Sequence, residues 1–158
     1  ARIFAHDAAP ARMVDLPVRA GRAGAAIAVL APGEAAQAGP FDLVLCDVPC
    51  SGSGTWRRTP DQKWRLAPKD LPRFADLQAR ILREAAPLVA PGGTLAYATC
   101  SLFDEENRAP VARFADAEGW CVASERRFLP PEDGDGIYIA LLQRNGDPSA
   151  RPRDLTQN

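Results

Sequence analysis

The chain of 158 residues has the length of one domain, and 46% hydrophobic with 25% charged residues excludes a disordered or fibrous protein. The formal net charge of −1 gives no overall positive field, so any contact with nucleic acid must come from a local basic patch. No apolar run reaches the roughly 18 to 20 residues that span a bilayer, and no signal-peptide pattern is visible, which predicts a cytoplasmic protein.

The hydrophobic pattern of the first part of the chain alternates between strand and helix. The predicted elements are a strand from Arg2 to His6, a helix from about Pro10, and strands from Ala26 to Leu30 and from Phe41 to Cys46. Pro17 falls where the first helix should be in mid-course, and proline removes a backbone hydrogen bond, so this helix is expected to kink or end early. The alternation predicts an α/β fold with a parallel sheet.

The second part continues the alternation after a long loop from Val48 to Pro72. The predicted elements are a helix with apolar positions Leu77, Ile81, Leu82, Ala85 and Leu88 that stops at residues 91–93, a strand from Thr94 to Ala98, a helix from about Asp104 to Gly119, and strands near residues 121–124 and 137–143. Residues 1–145 are therefore predicted to form one domain, and the tail, residues 146–158, is predicted to be disordered.

Two of the four cysteines follow predicted strands. Cys50 lies in the loop after the strand that ends near Cys46, and Cys100 comes directly after the strand that ends near Ala98. Because open α/β sheets bind ligands at the carboxyl ends of their strands, the two thiols predict a catalytic centre. The chain lacks the short, loop-rich character of a secreted disulfide framework, and its single histidine, His6, is remote, so we expect free thiols and no metal site.

Both cysteine segments also have a purely structural interpretation. Ser51 and Ser53 are typical helix-capping residues of a strand-to-helix connection, although capping does not explain the carboxylate of Asp47 and the thiol beside them. Cys100 precedes a predicted helix start, where backbone N–H groups favour the thiolate over the thiol. Taken alone, Cys100 is equally well interpreted as a small buried residue at a strand end.

The cysteine segments carry a family resemblance. Residues 47–54 (DVPCSGSG), 97–101 (YATCS) and 105–107 (EEN) resemble the two signature motifs of RNA cytosine-C5 methyltransferases that use S-adenosylmethionine. Residues 56–64 (WRRTPDQKW), 77–78, 91–93 and 133–136 (DGDG) are similar to the bacterial Sun-type enzymes acting on 16S ribosomal RNA. The resemblance covers nearly the whole chain. It implies a Rossmann-like class I methyltransferase fold, with helices flanking the sheet, and methyl transfer to a ribosomal RNA cytosine through a covalent cysteine adduct.

The resemblance also implies roles for individual residues. Cys100 becomes the nucleophile that attacks C6 of the cytosine, Cys50 assists release of the adduct, and Asp47 hydrogen-bonds the flipped base. Asp7, Asp47 and Pro49 are implied to contact the cofactor, Asp7 through the ribose hydroxyls. Apart from the resemblance, Asp7 is also explained as an ordinary acid at the turn after a strand.

A local basic and aromatic patch follows the first cysteine segment. Arg57, Arg58 and Lys63 are interleaved with Trp56 and Trp64, a composition suited to the phosphates and stacked bases of RNA. The alternative is a solvated loop with two core tryptophans.

The chain departs from the family pattern in two places. In the family, a strand and a glycine-rich cofactor loop precede the segment that matches Arg2, and an acid near the position of Ala31 receives the adenine amino group. This chain begins after the first feature and has no carboxylate at residues 30–33, while Glu34 is displaced in spacing. We therefore expect a methyltransferase domain truncated at its N-terminus that binds S-adenosylmethionine weakly or not at all. The truncation would leave sheet edges exposed, and we expect that a second copy of the chain could cover them in a dimer.

Two other functions stay open on the sequence. One is a catalytically inactive RNA-binding fragment that keeps the fold and the basic loop. The other is an unrelated thiol enzyme, such as a cysteine hydrolase or a redox protein. Against that second possibility, no histidine except His6 is present as a partner base, and the Cys-x-x-Cys spacing of redox pairs is absent.

Overall fold

The computed structural model describes residues 1–130 and 134–146 of the chain. It divides into two compact units, Ala1–Pro40 and Phe41–Asn158. The tail predicted to be disordered lies, from residue 147 onward, outside the described residues, as does Asp133 of the 133–136 motif. That residues 1–145 act as one domain stays a prediction.

The first unit contains a two-stranded parallel sheet. Its elements are β1 (Ile3–Ala5), a 3-10 turn (Pro10–Met13), α1 (Leu16–Arg22), β2 (Ile27–Val29) and α2 (Ala35–Ala38). Residues Ile3, Phe4 and Ala5 pair in register with Ile27, Ala28 and Val29. A helical segment therefore connects two parallel strands, as the alternating pattern predicts.

The break near Pro17 has a simple cause. The predicted helix from Pro10 is instead a short 3-10 turn, and α1 begins afresh at Leu16, so Pro17 occupies the first turn of that helix rather than its middle. The first N–H groups of a helix have no partner within it, so a proline there removes nothing.

The second unit is built on a four-stranded sheet. Its strands are β3 (Phe41–Asp47), β4 (Val89–Thr99), β5 (Trp120–Phe128) and β6 (Ile137–Arg144), in the spatial order β3-β4-β6-β5. Strands β3 and β4 are parallel, whereas β6 is antiparallel to both β4 and β5. The parallel pattern predicted from the first strands therefore does not extend to β6, and the sheet is mixed. The chain between β5 and β6 is too short for a crossover helix, so β6 returns beside β5 in the opposite direction.

Three helices and three 3-10 turns connect these strands. They are a turn (Ser53–Thr55), α3 (Asp61–Arg65), α4 (Asp70–Ala85), turns (Ala86–Leu88 and Asp104–Glu106) and α5 (Arg108–Glu118). The predicted loop from Val48 to Pro72 thus contains a helix and the start of another. No helix of the described residues is long and apolar enough to cross a membrane.

The end of α4 also differs from the prediction. The helix ends at Ala85 rather than at residues 91–93, because Pro87 has no N–H for a further helical hydrogen bond. Residues 91–93 lie within β4, where the register against β3 shifts between the pairs Phe41–Val89 and Leu43–Thr94. Proline and glycine here mark an irregularity in a strand rather than a helix stop.

The core of this unit lies on one face of the sheet, beneath α4 and α5. Leu95 and Tyr97 of β4 and Leu142 of β6 are fully buried there, together with Leu82 of α4 and Val111 of α5. These helices pack on alternate residues of each strand, since successive side chains point to opposite faces. The two loops that follow β3 and β4 therefore start from a rigid support.

Candidate active site

The two cysteine loops leave neighbouring parallel strands at the same edge of the sheet. Asp47, the last residue of β3, is paired in register with Ala98 of β4, and the N–H of Val48 donates to the carbonyl of Ala98 at 3.1 Å. Cys50 follows three residues after Asp47, and Cys100 follows directly after β4. The two Sγ atoms lie 3.4 Å apart, both partly buried. The fold thus brings together two thiols that the sequence places in separate loops.

The contact makes the two thiols electrostatically unequal. The hydrogen bond from Cys50 lowers the pKa of Cys100 to about 7, against opposing contributions from desolvation and from the charges of Asp47 and Glu106. The same hydrogen bond to Cys100, together with desolvation, raises the pKa of Cys50. We assign the thiolate to Cys100, because Cys50 is the more deeply buried of the two. Cys50 then donates its S–H to that thiolate.

Asp47 and Pro49 frame the first cysteine loop. The carboxylate of Asp47 is exposed at the end of β3 and close enough to raise the pKa of Cys100 by its charge. The carbonyl of Pro49 accepts a hydrogen bond of 2.9 Å from Nε2 of Gln78, a fully buried residue of α4. A carboxylate and a backbone carbonyl, the latter already hydrogen-bonded to Gln78, thus lie at the start of the loop that carries Cys50.

Two glycines allow the cysteine loops to approach a third segment closely. The N–H of Gly54 donates to the carbonyl of Cys100, and the N–H of Gly136 donates to the carbonyl of Gly54, both at 2.9 Å. A Cβ atom on Gly54 would collide with the carbonyl oxygen of Gly136. Only glycine permits this backbone contact at position 54.

The serines beside the cysteines do more than the helix-capping interpretation predicts. Ser51 Oγ and Ser101 Oγ both donate to Oε2 of Glu106, at 2.5 and 2.6 Å. Ser53 Oγ accepts the N–H of Leu102 at 2.8 Å. The hydroxyls therefore connect the two cysteine loops to each other.

The predicted RNA-binding residues are exposed but unequal in their surroundings. Arg57 makes no ion pair among the described residues, whereas Arg58 is paired with Asp135. Nζ of Lys63 lies 5.4 Å from the ring centroid of Trp64, whose side chain is 83% exposed. Trp64 is therefore a surface residue with a cation beside its ring.

Trp56 differs from Trp64 because its side chain packs inward. Its ring makes an edge-to-face contact with Phe103, with centroids 6.0 Å apart. The ring thus connects the first cysteine loop to the segment after Cys100, while its Nε1 has no hydrogen-bond partner within the described residues. Trp56 is half-buried and Trp64 is exposed, so neither is the core tryptophan of the alternative interpretation.

Asp7 lies in the first unit, two residues after Ala5, where β1 ends. One of its oxygens accepts the N–H of Ala9 at 2.7 Å, which is the local turn contact that an ordinary acid at this position makes. The other oxygen accepts no hydrogen bond from the described residues, and a carboxylate oxygen can accept one from a hydroxyl group. Glu34 is used locally, because its carboxylate accepts the N–H of Ala31 at 2.7 Å.

The remaining thiols are not part of the pair. Cys46 is buried in the sheet core, where desolvation raises its pKa to about 12, and Cys121 is partly buried on β5. All four cysteines are free. Among the described residues, no three His, Cys, Asp or Glu side chains are grouped so as to hold a metal ion.

Sequence reasoning missed two buried polar residues of this site, Glu106 and Gln78. A signal for Gln78 was present, because it occupies the same helical stripe as Leu82 and Ala85, where a polar side chain needs a specific partner. Glu106 lies within the 105–107 motif that carries the family resemblance, but the motif does not single it out from its neighbours. It follows two other acids, Asp104 and Glu105, and only the structure shows which of the three turns inward.

Two solved structures share the fold of this chain. The protein PH0851 superposes with a TM-score of 0.80 at 30% sequence identity, covering 90% of this chain and 37% of that one. A methyltransferase homologue from Pyrococcus horikoshii superposes with a TM-score of 0.75 at 24% identity, covering 90% of this chain and 53% of that one. The chain therefore has the Rossmann-like methyltransferase fold, as predicted.

Sequence comparison defines the family within that fold. The family model for 16S rRNA methyltransferase RsmB/F matches residues 1–143. The ribosomal RNA small subunit methyltransferase B of Klebsiella pneumoniae (strain 342) is 44% identical over 111 residues, which cover 65% of this chain and 26% of that protein. The chain belongs to the 16S rRNA methyltransferase RsmB/F family. It spans about a quarter of the length of the curated relatives it matches.

Proposed function

We propose that the protein containing this chain methylates C5 of a cytosine in ribosomal RNA, with S-adenosylmethionine as methyl donor and Cys100 as covalent nucleophile. The observation that carries this proposal is the 3.4 Å contact between Cys100 Sγ and Cys50 Sγ at the ends of two parallel strands. A lone cysteine would suit many reactions. Two thiols in contact suit a reaction in which one sulfur bonds the base and a second group helps to release it.

The first step is attack by the Cys100 thiolate on C6 of the base. The S–C6 bond forms, and the electron pair of the C5=C6 bond moves to C5. A pKa of about 7 leaves a large fraction of Cys100 as thiolate at neutral pH. Asp47 assists from the end of β3, because its carboxylate can accept a hydrogen bond from a protonated ring nitrogen, which draws electrons away from C6.

Bound S-adenosylmethionine would supply the methyl group that C5 takes up with this electron pair, the S–CH3 bond breaking to leave S-adenosylhomocysteine. C5 then carries both the methyl group and its original hydrogen. That hydrogen must leave as a proton so that its bonding electrons can restore C5=C6, while the S–C6 electrons return to the sulfur of Cys100. A base close to Cys100 is therefore required.

Cys50 is our candidate for this base. Its pKa is raised mainly by the hydrogen bond to Cys100. Once Cys100 is bonded to C6 of the cytosine, its sulfur carries no charge. The hydrogen bond to a thiolate then no longer raises the pKa of Cys50, and the Cys50 proton can pass to solvent more easily. Cys50 would then take the C5 proton and allow the product to leave. During one turnover Cys100 thus passes from thiolate to thioether and back, while Cys50 passes from thiol to thiolate and back.

The exposed patch after the cysteine loop is suited to the RNA strand that carries the base. Arg57 is exposed and makes no ion pair with the part of the chain that the structure describes, so its guanidinium can bind phosphates, and Trp64 offers an exposed ring with Lys63 beside it. Stacking on such a ring and attraction to the phosphate backbone are general features of single-stranded RNA binding. Arg58 is a weaker candidate, because its charge is already neutralised by Asp135.

Three residues of this chain fit the cofactor in their chemistry. Asp7 has an oxygen available for ribose hydroxyls, and Asp47 and Pro49 present oxygens at the end of β3. Asp47 and Pro49 would orient the methyl donor beside the thiol pair, and Asp7 of the first unit is a separate candidate for the ribose hydroxyls. The expectation that the isolated chain binds it weakly stays a prediction.

The test uses the intact protein that contains this chain and an RNA carrying 5-fluorocytosine at the target position. Fluorine at C5 cannot leave as a proton does, so the covalent adduct accumulates and is seen on a denaturing gel. We expect an adduct with the wild-type protein and none with Cys100→Ala. On ordinary RNA, Cys50→Ala is expected to form an adduct that persists, because release is impaired. Cys121→Ala, which changes a thiol outside the pair, should behave as wild type.

Each result discriminates between the candidate functions. Methyl transfer that survives Cys100→Ala overturns the covalent mechanism. RNA binding by the wild-type protein with neither adduct nor product would instead identify an inactive RNA-binding protein. Unchanged release by Cys50→Ala would remove Cys50 from the mechanism while leaving Cys100 in place.

A further inference from the structure

Glu106 is a fully buried acid that lies outside the thiol pair, and its side chain is 0% exposed. Its carboxylate accepts hydrogen bonds from four donors. Oε1 accepts the N–H of Ser51 at 2.8 Å and Nε2 of Gln78 at 3.5 Å, while Oε2 accepts the hydroxyls of Ser51 and Ser101. A buried charge is tolerated only when it is satisfied in this way.

The donors lie in positions that matter for the thiols. Ser51 directly follows Cys50, and Ser101 directly follows Cys100. A single carboxylate therefore holds both cysteine loops at the residue next to each thiol. The bridge acts beside the backbone contact of Gly54 with Cys100 and the contact of Ser53 with Leu102, but it is the one that holds the residue next to each thiol, whose sulfur atoms lie 3.4 Å apart.

Glu106 is itself held in place by β4 and by α4. The hydroxyl of Tyr97, a fully buried residue of β4, donates to the carbonyl of Glu106 at 2.5 Å. Gln78 donates from α4 both to Glu106 and to the carbonyl of Pro49, so the helix behind the site fixes the acid and the first loop together. Preorganisation of this kind is what a reaction between closely placed groups requires.

We propose that Glu106 is the positioning residue that holds Cys50 and Cys100 in their reactive arrangement. The proposal rests on the proposed function, because it assigns Glu106 a part in that reaction. Glu106 acts through its shape and its four hydrogen bonds, and it touches neither the base nor the methyl donor. Its length is essential, because the carboxylate must reach both loops at once.

Two substitutions separate shape from charge. Glu106→Asp keeps the charge but is one methylene shorter, so its carboxylate cannot reach both serines from the same backbone position. Glu106→Gln keeps the length and loses the charge. Its amide oxygen can accept from the Ser51 N–H and Gln78, while its NH2 donates to the two hydroxyls after they rotate. Glu105→Gln, at the exposed neighbouring acid, is the matched control.

The first readout is the spacing of the thiols and does not depend on methyl transfer. Diamide oxidises two adjacent thiols to a disulfide, removing two hydrogens as the diazene is reduced to a hydrazine. The rate of Cys50–Cys100 disulfide formation, followed by mass spectrometry of the cross-linked peptides, should fall at least about tenfold in Glu106→Asp. It should stay within about threefold of wild type in Glu106→Gln and Glu105→Gln, because their loops keep their positions.

The second readout is methyl transfer by the intact protein. Misplacement of reacting groups by about 1 Å costs on the order of 100-fold in rate, so kcat should fall by about that factor in Glu106→Asp. KM for RNA and for S-adenosylmethionine should be unchanged, since Glu106 contacts neither. Glu106→Gln should retain most of kcat. A general loss of folding would not leave both KM values intact.

The outcomes are distinguishable. If Glu106→Asp keeps wild-type rates in both readouts, or if Glu106→Gln loses as much as Glu106→Asp, Glu106 is not a positioning residue. If the wild-type protein transfers no methyl group, the proposed function fails, while the disulfide rates still test the bridge. If Glu106→Asp does not fold, Ser51→Ala/Ser101→Ala removes both hydroxyl donors and should slow disulfide formation and kcat in the same way; wild-type rates in that variant overturn the proposal.

Discussion

Cys50 and Cys100 are 50 positions apart in the chain, and their Sγ atoms are 3.4 Å apart in the fold. Two parallel neighbouring strands bring them together, because β3 and β4 end at the same edge of the sheet. The contact also shifts the pKa values of the two thiols in opposite directions. The hydrogen bond that favours the Cys100 thiolate disfavours the Cys50 thiolate.

The first prediction concerns the pH dependence of Cys100. Its pKa of about 7 means that alkylation by iodoacetamide should rise with pH, reach half its maximal rate near pH 7, and level off above it. In Cys50→Ala the hydrogen bond that lowers this pKa is lost, so the midpoint should move to higher pH. Cys50→Ser, which keeps a hydroxyl donor, should shift it less. Peptide mass mapping of the alkylated sites measures this, and an unchanged midpoint in Cys50→Ala would contradict the assignment.

The second prediction concerns Gly54. In Gly54→Ala the new methyl group would collide with the carbonyl oxygen of Gly136, and neither backbone can move freely because each is hydrogen-bonded to the other. We expect the free energy of unfolding to fall by about 3 kcal/mol or more. Urea denaturation measures the change.

Gly119→Ala is the control for Gly54. Gly119 follows α5 with φ of +70°, and a Cβ atom at this position would meet no heavy atom within 4 Å, so only the backbone conformation opposes a side chain. Its cost should be about 1 to 2 kcal/mol. Equal losses for the two variants would show that close contact is not what requires glycine at position 54.

The third prediction concerns the exposed patch. Trp64→Ala should weaken binding of single-stranded RNA by about 1 to 3 kcal/mol, the range for a stacked base, without changing the melting temperature, because the ring is 83% exposed. Lys63→Ala and Arg57→Ala should each weaken binding and reduce the salt dependence by about one counterion. Arg58→Ala should have the smallest effect of the basic residues, since it already pairs with Asp135. Fluorescence anisotropy at several salt concentrations provides the comparison.

The fourth prediction concerns Asp7. If its carboxylate accepts the ribose hydroxyls, Asp7→Asn in the intact protein should weaken binding of S-adenosylhomocysteine by roughly 10- to 100-fold, as expected for loss of hydrogen bonds to a charged group. The amide oxygen can still accept the Ala9 N–H, so the turn should persist. Asp15→Asn, at an exposed acid paired with Arg19 in the same unit, is the control. Calorimetric titration measures both, and equal affinities for the two variants would exclude Asp7 from the site.

The pairing of the two thiols could be predicted from the sequence, because it depends on short motifs and on the strand that precedes each cysteine. Cys50 and Cys100 each follow an apolar run with strand character, and the motif around each resembles one family. Strand ends at the same edge of a parallel sheet then place both thiols together. Motif and periodicity were sufficient for this step, since both are properties of consecutive residues.

The errors in the predicted elements have local causes as well. Residues 91–93 suggest a stop signal for α4, yet Pro87 ends that helix earlier and the glycines serve an irregular strand instead. The hydrophobic pattern of β6 did not indicate that the strand is antiparallel to its neighbours. The direction of the strand depends on the short connection after β5 and on pairing with β4, neither of which is visible in the pattern of β6 itself.

The sequence by itself determined the family, the alternation of strands and helices, and the two thiols, because these follow from motifs and short-range periodicity. The tertiary structure alone decided which partners those residues meet. Of the three consecutive acids at 104–106, only Glu106 turns inward, where Ser51 and Gln78 from two distant segments and the nearby Ser101 donate hydrogen bonds to it. The unequal pKa values of Cys50 and Cys100 arise in the same way, from a contact across the sheet edge that no stretch of sequence contains.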